Sequence, residues 1–169
     1  MIFGRKTEQK DCLIFLDIDG VLNDLSREWA INSENIKSLY YLVKKLEKKN
    51  YDCKIILVST WRFGFDKDFK KCSPQVQHLI KELNTFGLKV YDRTQSFEMG
   101  GRAYEVCSYY LHYKFYIAKR SVKHLIIDDD ISLYSDEISQ KLDFDMNLII
   151  PNSRRGLVDS DWEKVIKKF

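Results

Sequence analysis

The chain has 169 residues, 44% of them hydrophobic and 31% charged, with a formal net charge of +3. That length and balance fit one folded domain with a substantial core and argue against disorder, and no apolar run reaches the roughly 20 residues that cross a bilayer. The mild positive excess admits an anionic substrate but falls far short of the charge of a dedicated DNA-coating protein.

Met1 to Lys10 turns polar at once and has no signal-peptide core. It is expected to be a flexible extension of a cytoplasmic protein. Leu13-Ile14-Phe15-Leu16 then reads as a strand buried on both faces, running into Asp17-Ile18-Asp19-Gly20-Val21-Leu22-Asn23. Asp17 and Asp19 fall at its carboxyl end, and Gly20 lets the backbone turn sharply. Two neighbouring carboxylates with no adjacent base are costly unless a cation joins them. A hard, oxygen-ligated ion, most simply Mg²⁺, is the natural partner. Taken alone, Asp-x-Asp-Gly would serve equally well as a turn whose acids bond the backbone.

Asp24 to Ile31 reads as a loop, after which Asn32 or Ser33 caps a helix with Ile36, Leu39, Tyr40, Val43 and Leu46 on its buried stripe. Lys44, Lys45, Lys48 and Lys49 form its solvated face. Lys54-Ile55-Ile56-Leu57-Val58 is a second buried strand, ending in Ser59-Thr60-Trp61-Arg62 and an aromatic, basic loop. Ser73 and Pro74 open a helix facing inward through Val76, Leu79, Ile80 and Leu83, and Gly87 ends it. Leu88 to Tyr91 is a short third strand.

A polar loop leads into a helix from near Arg102, with Ala103, Val106, Cys107, Tyr110, Leu111 and Ile117 inward. His124-Leu125-Ile126-Ile127 is a fourth strand, running into Asp128-Asp129-Asp130. Asn147 to Ile150 is a fifth, halted by Pro151. Ser160 and Glu163 form a capping box for a last helix that buries Trp162, Val165, Ile166 and Phe169. Cys12, Cys53, Cys72 and Cys107 are scattered without a Cys-x-x-Cys pair, which points to reduced thiols filling the core. Strands alternating with helices predict an α/β, doubly wound, parallel five-stranded sheet with helices on both faces. Right-handed crossovers then gather Asp17, Asp19, Ser59, Thr60 and the Asp128 cluster at one sheet edge, where such folds bind ligands.

This ordered set resembles the haloacid dehalogenase (HAD) superfamily over nearly the whole chain. The resemblance implies a Rossmann-like, HAD-like hydrolase domain spanning residues 1–169: a Mg-dependent phosphomonoesterase working through an aspartyl-phosphate. Asp17 would be the nucleophile. Asp19 would be general acid and then base, its backbone carbonyl also ligating Mg²⁺. Ser59, Thr60 and Arg62 fall in the substrate- and phosphate-binding stretch. Arg102 stands where the family places a phosphate-balancing cation, more often a lysine, with Lys114 and Lys119 as fallbacks. Asp129 best matches the metal ligand, Asp128 and Asp130 support it, and Gly20 supports the turn. Three consecutive acids leave the register of Asp128, Asp129 and Asp130 open.

Neither Asn23 to Cys53 nor Phe63 to Gly101 has room for a separate cap domain of about 50 residues or more. An open site suits a substrate that covers it. The Phe-Leu-Asp-Ile-Asp-Gly-Val-Leu-Asn and Ser-Thr-Trp-Arg stretches are similar to HAD-type phosphatase domains of multi-enzyme RNA-repair proteins. Trp61, Arg62, Phe63, Phe65, Lys67, Lys70 and Lys71 also interleave rings that can stack bases with cations that can meet phosphates. A nucleic-acid end or a nucleotide is therefore the expected phosphorylated substrate. Small phosphorylated metabolites and phosphoproteins are the alternatives, and a phosphoacceptor signalling domain is a more distant one.

Overall fold

The computed structural model describes residues 8–23, 30–97, 101–134 and 147–169. Its strands are β1 (Lys10–Leu16), β2 (Tyr51–Leu57), β3 (Val90–Arg93), β4 (Val122–Ile127) and β5 (Leu148–Ile149). They form one sheet in the order β3-β2-β1-β4-β5, with every pairing parallel. This is the doubly wound α/β sheet expected, and among the described residues no separate cap domain stands apart from it. No described helix is long and apolar enough to cross a membrane.

The helices among the described residues are α1 (Ser33–Lys48), α2 (Pro74–Thr85), α3 (Gly101–His112) and the single turn α4 (Asp159–Trp162). Successive strand residues point to opposite faces. Cys12, Ile14 and Leu16 of β1 therefore pack with the inner stripes of α1 and α2 and with Trp162. Leu13 and Phe15 face the other way, onto Ala103, Val106 and Cys107 of α3. Asn32 caps α1, accepting from the Glu34 N–H at 2.9 Å, and Ser73 caps α2 ahead of Pro74. Cys12 and Cys53 are direct partners across β1 and β2, both as free thiols.

Several local expectations shift. Lys10 already belongs to β1, while residues 1–7 and most of the Asp24–Ile31 loop lie outside the described residues. β3 begins two residues late, because Leu88 is buried in the α1–α2 core before the chain reaches the sheet edge. α3 gives way at Tyr113–Ile117 to a π-helical turn that buries Tyr113 and turns Ile117 outward. The final helix starts at Asp159 rather than after Ser160, with the Asp161 carboxylate accepting from the Val158 N–H at 2.9 Å.

α3 runs back along the row Asp11–Leu13–Phe15 of β1 and is held beyond its far end. Asp11, 3% exposed, accepts from the Tyr113 hydroxyl at 3.0 Å, from Lys54 Nζ at 3.1 Å and from Arg120 Nε at 2.7 Å. Burial pushes the Asp11 carboxyl upward, but these three donors together hold it below its ordinary value. Asp11→Ala leaves two cations without their buried partner and is expected to lower unfolding stability by about 2–3 kcal/mol. Urea denaturation measures this; a loss below about 0.5 kcal/mol would class the cluster as surface charge.

Candidate active site

The first polar residue after β1 stays in the sheet. Asp17 N–H donates to the Ile127 carbonyl at 2.9 Å, so its side chain continues the odd-numbered row that faces α3. There it meets Arg102, in the first turn of α3. Arg102 Nη1 donates to Asp17 Oδ1 and to Asp128 Oδ2, each at 2.7 Å. Asp128 sits where β4 ends and is held from both sides: its Oδ2 also accepts from the Tyr134 hydroxyl at 2.8 Å, and its Oδ1 from the Asp130 N–H at 3.0 Å.

Asp129 completes the group. Asp17, Asp128 and Asp129 each offer an oxygen within 4.8 Å of the others. Gly20 makes that approach possible, since a Cβ there would stand 2.3 Å from Asp129 Oδ2, and its φ of +75° is one that side-chain-bearing residues rarely adopt.

Burial, reinforced by the neighbouring Asp128, pushes the Asp17 carboxyl up to about 7. Asp129 is likewise raised, chiefly by burial and Asp128. Burial works against the Arg102 charge, but Asp17 and Asp128 more than compensate and raise its pKa. Three carboxylates around this guanidinium leave negative charge uncompensated in a largely dry site. An all-oxygen donor set with surplus negative charge fits a hard divalent cation.

Asp19 has a different environment. Its Oδ2 accepts from Trp61 Nε1 at 2.9 Å and its Oδ1 from Asn23 Nδ2 at 3.0 Å, while Asn23 Oδ1 accepts from the Gly20 N–H at 2.9 Å. Its side chain is fixed in orientation and stands outside the three-acid group. Ser59 is buried and caps the 3₁₀ turn Thr60–Gly64, its Oγ accepting from the Trp61 N–H at 3.4 Å. Its hydroxyl proton is still there to donate. Thr60 beside it is exposed.

A family model described as the HAD domain in Swiss Army Knife RNA repair proteins matches residues 13–162. The chain belongs to this family. It is a HAD domain, a hydrolase of the phosphatase type, in a family that typically uses a divalent metal. Comparison with curated proteins and with solved structures gives no significant match.

Within this HAD domain, Asp17, Gly20, Arg102, Asp128 and Asp129 come together. Arg62 takes another place: it is 6% exposed, with Nη2 donating to Glu105 at 2.9 Å and Nη1 to the Val58 and Ser59 carbonyls. Asp130 turns outward, its Oδ1 accepting from the Ser132 N–H at 3.0 Å. Lys114 and Lys119 are exposed, Lys114 lying over the Tyr110 ring. Trp61 and Phe65 are buried rather than open to a ligand, whereas Phe63 is exposed.

Sequence reasoning missed the tasks of Asn23, Trp61 and Tyr134. Asn23 had a usable signal, since a side-chain amide three residues after a turn glycine can bond back to its N–H. Tyr134 had none, because its meeting with Asp128 depends on a 3₁₀ turn, Ile131–Leu133, that no apolar period foretells.

Proposed function

We propose that this HAD domain hydrolyses phosphomonoesters with Mg²⁺, through an aspartyl-phosphate on Asp17, and that its substrate is a nucleic-acid end or a nucleotide. The observation that carries this reading is the Asp17 carboxylate anchored on Arg102 inside the buried acidic group. The substrate assignment draws on the family's description as a domain of RNA repair proteins and on the lack of a separate cap domain among the described residues.

Asp17 and Asp129 would hold the ion together with the Asp19 main-chain carbonyl, with Asp128 braced behind by Arg102 and Tyr134. When bound, Mg²⁺ supplies positive charge to the phosphoryl oxygens and screens them from the attacking carboxylate. An Asp17 oxygen attacks phosphorus, the bond to the leaving oxygen breaks, and Asp19 delivers a proton to that oxygen. Asp19 then takes a proton from water, which attacks phosphorus and frees Asp17 and inorganic phosphate. Arg102 and the Ser59 hydroxyl balance and orient the transferring group, with Thr60 beside them.

Trp61 and Asn23 act through Asp19 by fixing its direction. Trp61→Phe keeps the ring in the core but removes the N–H that Asp19 accepts. Turnover of an aryl phosphate is expected to fall about tenfold with KM nearly constant, the size of one lost charged hydrogen bond. An unchanged kcat would remove the positioning role.

Metal binding has a pH signature. A carboxyl raised from 3.8 to about 7 favours the protonated form in the fold, so metal-free stability falls as pH rises from about 4 to 7, where Asp17 ionises in the unfolded chain but holds its proton in the fold. A cation that binds the ionised group reverses the loss. Saturating Mg²⁺ should therefore raise Tm more at pH 8 than at pH 5.5, and equal shifts would argue against binding at Asp17.

The substrate reading is tested by presenting the protein and Mg²⁺ with nucleotides, 3′- and 5′-phosphorylated oligonucleotides, sugar phosphates and phosphopeptides. The highest kcat/KM is expected on oligonucleotide ends or nucleotides. A preference for sugar phosphates or phosphopeptides overturns the substrate class. Phosphate retained on the protein, without release, would indicate a phosphoacceptor domain instead.

A further inference from the structure

A cavity of about 640 Å³ is walled by Phe63, by residues 92–97 at the end of β3 and just beyond it, and by Glu105, Ser108 and His112 of α3. We propose that it seats the nucleobase next to the phosphorylated end of a single-stranded nucleic acid. This inference rests on the proposed phosphatase activity toward such ends and adds where the strand is gripped.

Its size admits a planar base with room to spare. Two of its rings are open to solvent: Phe63 is 62% exposed and Phe97 is 36% exposed. Neither is a loose side chain. The Arg62 guanidinium lies 4.8 Å from the Phe63 ring centre, and Tyr104 meets Phe97 edge-on at 5.2 Å. Rings held in place with a face exposed are the surfaces on which bases stack, whatever the base.

Most of the rest of the wall is polar, Tyr109 and Ile117 apart. Thr94, Ser96 and Ser108 bring hydroxyls, and Arg93 brings a guanidinium whose Nη1 is fixed on the Arg62 carbonyl at 2.8 Å. Glu105 is 5% exposed; one carboxylate oxygen pairs with Arg62, and the other has no hydrogen-bond partner among the described residues. This buried pair holds Arg62, whose guanidinium in turn lies against the Phe63 ring. Single rings set among hydroxyls and charges suit a flat ligand with a polar edge, whereas a peptide's apolar side chains favour a contiguous apolar patch.

The position relative to the chemistry also fits. Glu105 follows Arg102 by three residues on α3, about 4.5 Å along the helix axis. A strand whose terminal phosphate reaches Arg102 can thus place an adjacent base in the cavity.

The experiment compares the parent with Phe63→Ala, Phe97→Ala and Phe63→Trp, all exposed positions outside the acidic group. KM is measured with 3′- and 5′-phosphorylated single-stranded hexanucleotides, with a phosphopeptide and with an aryl phosphate. Each alanine variant is expected to raise the hexanucleotide KM at least about fivefold, the low end of one lost stacking contact, with aryl phosphate kinetics unchanged. Phe63→Trp should match or better the parent. If the parent dephosphorylates hexanucleotides and both alanine variants keep its KM, the cavity assignment is overturned and the substrate reading stands. If the parent hydrolyses aryl phosphate but no hexanucleotide, the substrate reading fails and takes this inference with it. A Phe63 dependence seen only with the phosphopeptide makes the cavity a peptide site and also overturns the assignment.

Discussion

Asp17→Asn is expected to leave a folded protein whose turnover of any phosphomonoester falls by at least about 10³-fold, the scale of losing a covalent nucleophile. The amide keeps the shape and can still accept from Arg102, so loss of folding is not a competing explanation. It also removes a charge that the metal-free fold tolerates poorly, given a carboxyl raised to about 7. At pH 8 without metal, the variant's Tm should equal or exceed that of the parent. Parent-like hydrolysis by Asp17→Asn would end the nucleophile assignment, whatever the stability result.

Arg102→Ala should be the most damaging single truncation in the site. It strands Asp17 and Asp128, both nearly inaccessible, without the guanidinium that donates to each. Breaking such a pair from one side costs about 3–5 kcal/mol, and the lost charge on the transferring group should lower kcat/KM by about 10²–10³. Adding Mg²⁺ should restore part of the stability but not the rate, which separates the two effects. Lys114→Ala is the control: its exposed ammonium lies over the half-buried Tyr110 ring and the exposed Phe115 ring, away from the acidic group, and both quantities should stay near the parent values. Matching kinetics for the two variants would remove Arg102 from the site.

The parts of this molecule that sequence made legible are those where a single period or charge has few physical outcomes. Leu13 to Leu16 has no polar residue to turn toward water, so a strand buried on both faces was its natural reading, and the acids after it had to lie at the sheet edge. Arg102 could be placed for a related reason: it opens a helix whose buried residues, Ala103, Val106 and Cys107, fix which face meets the sheet.

Trp61 and Arg62 were harder, because a strand followed by a 3₁₀ turn redirects side chains without leaving a periodic trace. As a result, a tryptophan that orients Asp19 and an arginine buried against Glu105 both read as open to a ligand. Ile117, expected inward, faces out for a similar reason, and Tyr113 is the residue buried there. The wider π-helical turn rotates the residues after His112, which a uniform helical period cannot anticipate.

The two ends of α3 have a further consequence. From Asp11 to Asp17 the strand path advances about 20 Å, and from Arg102 to Tyr113 the helix climbs about 16 Å. Side chains close the difference at both limits, Arg102 to Asp17 and Tyr113 to Asp11. The helix and the strand thus act as two rulers clamped at both ends. Deleting one residue between the clamps would swing one of them about 100° around the helix. Loss of the Tyr113–Asp11 contact at one rim is therefore expected to loosen the Arg102–Asp17 pair at the other.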